Sequence, residues 1–196
     1  MIRNSSSAPN VCLDDISLWD QFHQFETEMI VTKSGRRMFP SIKLRMRELD
    51  PCKIYWLMLE FAPADRSRYK FCKNEWIVSG SADPPKDHNM NHRFYLHPAS
   101  PSTGHQWMCN AISFSRLKLT NNKSAPSDQQ IILNSLHKYR PIVHIISSDS
   151  ATTMPGSLDL DSILKERPIF KNVWSFPLEK AEFIVVTAYQ NSEVSN

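Results

Sequence analysis

Glu28-Met-Ile-Val-Thr-Lys-Ser-Gly-Arg-Arg-Met-Phe-Pro-Ser-Ile-Lys-Leu-Arg-Met-Arg47 holds the pattern on which the fold reading turns. Its second half alternates with period two. In a strand, Ile42, Leu44 and Met46 point to one face while Lys43, Arg45 and Arg47 point to the other, so one face suits a core and the other suits solvent or a polyanion. From Lys33 to Arg47 there are six cations and no anion. Ser34-Gly35 reads as a turn, Gly35 supplying a positive φ, and it places Arg36-Arg37 directly after the bend. A planar guanidinium can pair bidentately with the O6/N7 edge of guanine or with phosphate, which an ammonium cannot do. The same residues also suit a solvated basic edge strand that deters aggregation, and residue pattern alone leaves both readings open.

Outward from this stretch, short runs rich in Ile, Val, Phe, Tyr and Trp recur between turn residues. They span residues 28–32, 41–47, 54–61, 75–78, 93–97, 113–120, 130–133, 142–147 and 183–189. Their number and length predict an all-β sandwich or barrel. Thirteen prolines against four glycines agree, because proline breaks helix interiors and sits well in loops and edges. One helix is expected, over Ser157 to Glu166, as a loop excursion ending before Pro168. Ser113 to Thr120 forms a second basic strand face, with Leu117 and Leu119 on one side and Arg116 and Lys118 on the other. Phe183 to Tyr189 reads as an interior strand whose end emerges at Tyr189-Gln190-Asn191, where polar side chains suit either a ligand or a simple turn.

The chain has 196 residues, 41% apolar and 22% charged, which fits one domain and neither a disordered nor a membrane class. No run of about 18 apolar residues occurs, and the polar start Met1 to Asn10 lacks a signal peptide's apolar centre, so a soluble intracellular protein is expected. Residues 1–16 read as a flexible polar arm and structure is expected from near Ser17. The net charge of +3 decides little, but its distribution is uneven: Asp14 to Glu28 holds five acids and no Lys or Arg, immediately before the basic stretch.

Chemistry-bearing patterns are few. Cys12, Cys52, Cys72 and Cys109 form no Cys-x-x-Cys pair, so reduced thiols are expected, and a metal site from His105 with Cys109 or from His88 with His92 is only a matter of spacing. There is no Gly-x-Ser-x-Gly elbow, phosphate loop or His-Glu-x-x-His. His137, His144 and Asp149 can be imagined as part of a triad, but His144 lies inside an apparent strand and reads as structural. No enzyme, cofactor or metal is expected.

Several segments taken together resemble the T-box domain of Brachyury-like transcription factors. They are Leu18-Trp-Asp-Gln-Phe22, Glu28 to Pro40, Leu49-Asp-Pro51, Asn74-Glu-Trp76, His97-Pro98, Thr103-Gly-His-Gln-Trp-Met108, Ser113 to Asn121, Leu133 to Tyr139 and Val186-Thr-Ala-Tyr-Gln-Asn191, in sequence order over about Ser17 to Asn191. The resemblance implies an immunoglobulin-like sandwich or barrel of the p53-like DNA-binding type with short loop helices, in a nuclear, developmental regulator of transcription by RNA polymerase II. It implies that Arg36 reads a guanine in a GGTGTGA-type half-site, and that Arg37, Lys43, Arg116, Lys118 and the polar run Thr187, Tyr189, Gln190 and Asn191 contact DNA beside it. His137 is expected to brace the core. Partners beyond double-stranded DNA, whether other transcription factors or a second copy on palindromic sites, stay open, as do activation or repression. Members usually continue past Tyr-Gln-Asn into helices that enter the minor groove. These residues stop at Asn196, so residues 17–196 are expected to lack that element. The alternative this suggests is a degenerate domain that folds but serves mainly in protein interaction.

Overall fold

A computed structural model of the chain describes residues 8–83, 93–122, 130–148 and 170–191. The elements in chain order are β1 (Asn10–Leu13), α1 (Ile16–His23), β2 (Glu28–Ile30), β3 (Arg36–Arg37), β4 (Lys43–Arg47), β5 (Ile54–Cys72), β6 (Glu75–Ser81), β7 (Phe94–Leu96), β8 (Ser102–Thr103), α2 (Gly104–Cys109), β9 (Ile112–Ser113), β10 (Lys118–Thr120), β11 (Gln130–Ile132), β12 (His137–Ser148), β13 (Phe170–Pro177) and β14 (Phe183–Val186). Among the described residues the architecture is all-β, as the sequence predicts, with two short helices at α1 and α2.

The strands form three sheets. The largest runs β2-β14-β12-β5-β6, with β13 beside β12 and β7 and β8 beside β5. A second is β1-β4-β9, and a third is β11-β10-β3. β4 behaves as its alternation requires: Ile42, Leu44 and Met46 are 0%, 0% and 3% exposed, whereas Arg45 and Arg47 face solvent and Lys43 is half-buried. Burying each such apolar side chain is worth about 1.5–3 kcal/mol, which fixes the register against a one-residue slip. These side chains join Trp19, Leu57, Leu59, Phe61, Leu117, Leu119, Phe183 and Val185 in one core.

Four expectations need correction. Order begins before Ser17, because β1 pairs antiparallel with β4, Cys12 opposite Arg45 and Leu13 opposite Leu44, and α1 follows with Trp19 fully buried. The 113–120 strand is two: β9 ends at Ser113, a turn closed by Leu117 N–H to Phe114 O (3.1 Å) intervenes, and β10 starts at Lys118. The 54–61 strand continues to Cys72 past Pro63, where β12 jumps register from Tyr139–Pro63 to His137–Arg68, so the proline sits at an irregularity that needs no ladder donor. β14 stops at Val186, with a bend at Thr187-Ala188. The helix expected over Ser157 to Glu166 lies outside the described residues.

The helix α2 falls where only a loop was read. Thr103 and Gln106 form a capping box, the Gln106 N–H donating to Thr103 Oγ1 (3.2 Å) and the Thr103 N–H to Gln106 Oε1 (3.0 Å). Its first residue, Gly104, touches the Asp50 backbone so closely that a Cβ there would lie 2.2 Å from Asp50 O.

The polarity of the strands sets up one end of the molecule. β14 and β2 run in parallel, Ile184 opposite Glu28 and Val186 opposite Ile30, toward Thr187 and Thr32. β12 starts at that end and β5 runs toward it, so the β5–β6 turn at Lys73-Asn74 lies there too. Both turn residues have positive φ, 53° and 64°, the backbone of a tight two-residue hairpin.

Candidate nucleic-acid interface

At this end the Thr32–Gly35 turn is built by its neighbours. Gly35 N–H donates to Thr32 O (3.2 Å), the buried Thr120 hydroxyl donates to Thr32 O (2.7 Å), and Gln130 Nε2 donates to Ser34 O (3.1 Å). Gly35 has φ +82°, and a Cβ there would meet Gln130 Nε2 at 3.0 Å and Lys118 Cβ at 3.1 Å. Glycine is therefore demanded by both backbone and space.

The turn delivers β3 onto β10. Arg37 stands opposite Lys118, which stands opposite Gln130 on β11, so the three share one cross-strand row on the face away from the buried Leu119 and Ile131. Arg36 lies in the next row, opposite Leu119, and is nonetheless exposed at the sheet edge. The two arginines thus leave β3 on opposite sides. Among the described residues Lys33, Arg36, Arg37, Arg116 and Lys118 enter no ion pair, and all but the half-buried Lys118 are exposed.

The other half of the basic stretch is engaged differently. Lys43 Nζ lies 3.4 Å from Asp15 Oδ2 and Arg45 Nε 3.1 Å from Asp14 Oδ1, the acids that lead into α1. Both pairs are exposed enough to be weak, on the order of 0–1 kcal/mol, and a phosphate can displace them. Lys43 belongs to the β1-β4-β9 sheet and is not brought into the Arg37–Lys118 row. Arg116 sits on the turn between β9 and β10 and so departs from the strand face expected of it.

The strand end past β14 divides likewise. Thr187 and Gln190 are exposed and Tyr189 is half-buried. Asn191, expected among the presenting groups, is 8% exposed, its Nδ2 donating to Phe25 O (3.4 Å), and it braces rather than presents. The anchor is Glu28, which is fully buried. Its carboxylate accepts from Gln190 N–H (2.8 Å), Asn191 N–H (3.0 Å) and Trp76 Nε1–H (3.0 Å), tying the 190–191 backbone and the β5–β6 hairpin to one group.

Neither Glu28 nor Gln130 was singled out from the sequence. An acid between Thr27 and Met29 at the head of an apolar run was the available sign for Glu28; Gln130 depends on the parallel register of β11 and had none.

The histidines are structural in their contacts. His137 Nε2 accepts from Asp83 N–H (2.9 Å) and Nδ1–H donates to Ser135 O (2.9 Å), a brace as expected. Buried His144 bridges Ser175 Oγ (2.8 Å, at Nδ1) and Glu60 Oε2 (2.9 Å, at Nε2). That reverses the ring nitrogens of a hydrolytic triad, and the row is a sheet-face network. Asp149 lies outside the described residues. Among the described residues no group of three or more His, Cys, Asp or Glu could hold a metal, and no helix is long and apolar enough to cross a membrane.

A T-box family model matches residues 11–196. The chain belongs to the T-box family. It is 45% identical over 185 residues to T-box protein VegT of Xenopus tropicalis, covering 93% of this chain and 36% of that protein. It is 44% identical over 185 residues to T-box-containing protein 2 of Halocynthia roretzi, covering 94% and 24%, and 41% identical over 194 residues to T-box transcription factor TBX18 of Homo sapiens, covering 97% and 30%. The chain spans about a quarter to a third of the length of these relatives. The all-β architecture is that of the T-box domain, the immunoglobulin-like, p53-like type. T-box transcription factors are sequence-specific DNA-binding regulators, generally nuclear, and are not in general enzymes.

Proposed function

We propose that this T-box domain binds duplex DNA sequence-specifically at a GGTGTGA-type half-site, in the nucleus, as part of a regulator of transcription by RNA polymerase II. One observation carries the reading: a turn built to hold Gly35 presents Arg36 and Arg37 without competing acids, beside Lys118 and Gln130, at the same end as Thr187 and Gln190. Arg36, splayed from the row, takes the base-reading role, where its fork spans O6 and N7 of guanine. Arg37 and Lys118 hold phosphates and set the register, joined by Thr187, Tyr189 and Gln190. Lys43 and Arg116 add phosphate contacts from neighbouring elements. DNA binding needs no cofactor or metal.

The test is fluorescence anisotropy on a half-site duplex and a scrambled duplex at several salt concentrations. A preference of about 10³ or more at physiological salt is expected. Arg36→Ala should cost about 1–3 kcal/mol and flatten the preference at one base pair, whereas Lys118→Ala should weaken all sequences alike and lower the salt slope by about one. Equal losses on both duplexes for Arg36→Ala would remove its base-reading role. The rival reading, a protein-interaction module with degraded DNA binding, has the engagement of Lys43 and Arg45 by acids in its favour. Binding that is equal on both duplexes and steeply salt-dependent, or absent, would establish it instead.

A further inference from the structure

The β5–β6 hairpin has no place in the interface described so far. β12 begins at His137 opposite Arg68, so among the described residues Lys70–Cys72 and Glu75–Ile77 pair only with each other and form a two-stranded ribbon that runs about 10 Å past the end of the β12 pairing. An isolated ribbon of this kind is marginal unless held. Two contacts hold it. Phe71 and Trp76, directly opposite, pack with ring centroids 5.3 Å apart, and Trp76 Nε1–H is fastened to Glu28, the carboxylate that also fixes the 190–191 backbone.

The ribbon exposes two cations, Lys70 and Lys73, together with one acid, Glu75, and the apolar Ile77 opposite Lys70. Lys70 and Lys73 are exposed and enter no ion pair among the described residues; Glu75, the acid beside them, stands opposite Cys72. Nearer the sheet, Arg68 is occupied by Asp83 at 3.5 Å. Solubility would not require a braced ribbon aimed at the end where Arg36, Thr187 and Gln190 emerge.

We propose that the β5–β6 hairpin is a second arm of the interface, with Lys70 and Lys73 holding the phosphate backbone of duplex DNA flanking the half-site. This rests on the DNA-binding reading above. Its contribution is independent of sequence, so it adds affinity and salt dependence without changing discrimination.

The experiment compares the full chain with the Lys70→Ala/Lys73→Ala double variant, and with the Lys70→Glu/Lys73→Glu variant, by anisotropy across a salt series. The probes are a duplex of the half-site alone and duplexes extended by flanking base pairs around either a half-site or a scrambled core. Because both lysines are exposed, thermal melting serves to verify that folding is intact. The double Ala variant should lose about two units of log–log salt slope on extended duplexes, with unchanged preference for the half-site core. The Glu variant should lose more, and the half-site-only duplex should bind all three proteins equally. Unchanged slope on extended duplexes, or a loss confined to one core sequence, would overturn the arm. A wild-type chain that fails to discriminate cores while the slope still falls would overturn the sequence-specific reading and leave the arm standing.

Discussion

Single atoms decide several positions in this domain. At Gly104 a Cβ would lie 2.2 Å from Asp50 O and 3.1 Å from Leu49 Cβ, and neither is the flexible end of a side chain. Gly104→Ala must therefore separate α2 from the 49–50 backbone, and we expect a loss of about 3 kcal/mol or more, read as a lower urea midpoint at unchanged m. Thr120 works by the opposite means, contributing one hydroxyl to the Thr32 carbonyl and so setting the turn that carries the arginines. Arg36 and Arg37 were legible in the sequence as a pair delivered by a turn. Their separation onto opposite sides of β3 needed the register with Leu119 and Lys118. Asn191 misled because a polar residue at a strand end looks presented, while its burial depends on Phe25 and Glu28, more than 160 residues earlier in the chain.

Elements differ in how they are held. Replacing Trp76 by Phe keeps a smaller aromatic ring against Phe71 and removes the N–H that reaches Glu28. A cost of about 1–2 kcal/mol is expected, with faster amide hydrogen exchange concentrated in 70–77; exchange unchanged there would mean the ribbon is held by its rings alone. β4 was readable because one face is core and the other solvent, which gives a period of two. The distal half of β5 was not, although Arg66, Arg68 and Lys70 alternate there with the half-buried Ser67, Tyr69 and Phe71, because Pro63 argued for a break. β1 was hidden for a related reason: Asn10-Val-Cys-Leu13 is too short to show a pattern, and its stability comes from the β4 edge that it covers. The α2 capping box, Thr103 with Gln106, did stand in the sequence, within a segment read only as loop.

For the whole molecule, buried and half-buried titratable rings bound the pH range of full stability. His97 packs edge-on against Trp107 and Phe114 at 5.3 and 5.1 Å, its Nδ1 accepting the Ala99 N–H and its Nε2 facing Ser113 O. Desolvation holds its pKa below the ordinary 6.5, and nearby Arg116 adds to this, against the Ser113 hydrogen bond. The unfolded chain then binds a proton more readily than the native one, so stability is full above about pH 6.5 and falls as pH drops toward the native value. Tyr55, Tyr69, Tyr95 and Tyr139 are all pushed above 10.0, in each case chiefly by desolvation. Their contribution is full below about pH 10 and fades as pH climbs toward the native values, because the unfolded chain gives up those protons first. Urea midpoints across pH should therefore show a plateau between the two limbs, and His97→Gln should flatten part of the acid limb. The pairing of β2 with β14 bears on how such a molecule is made. A ribosome adding about 5–20 residues per second finishes β14 roughly 8–30 s after β2, and until then the buried Met29 and Val31 have no partner edge to close against. The strand that leads into the arginine turn is thus made early and paired late, whereas β3 itself meets its partner β10 before β14 exists, so the two sides of the basic end are secured at different times.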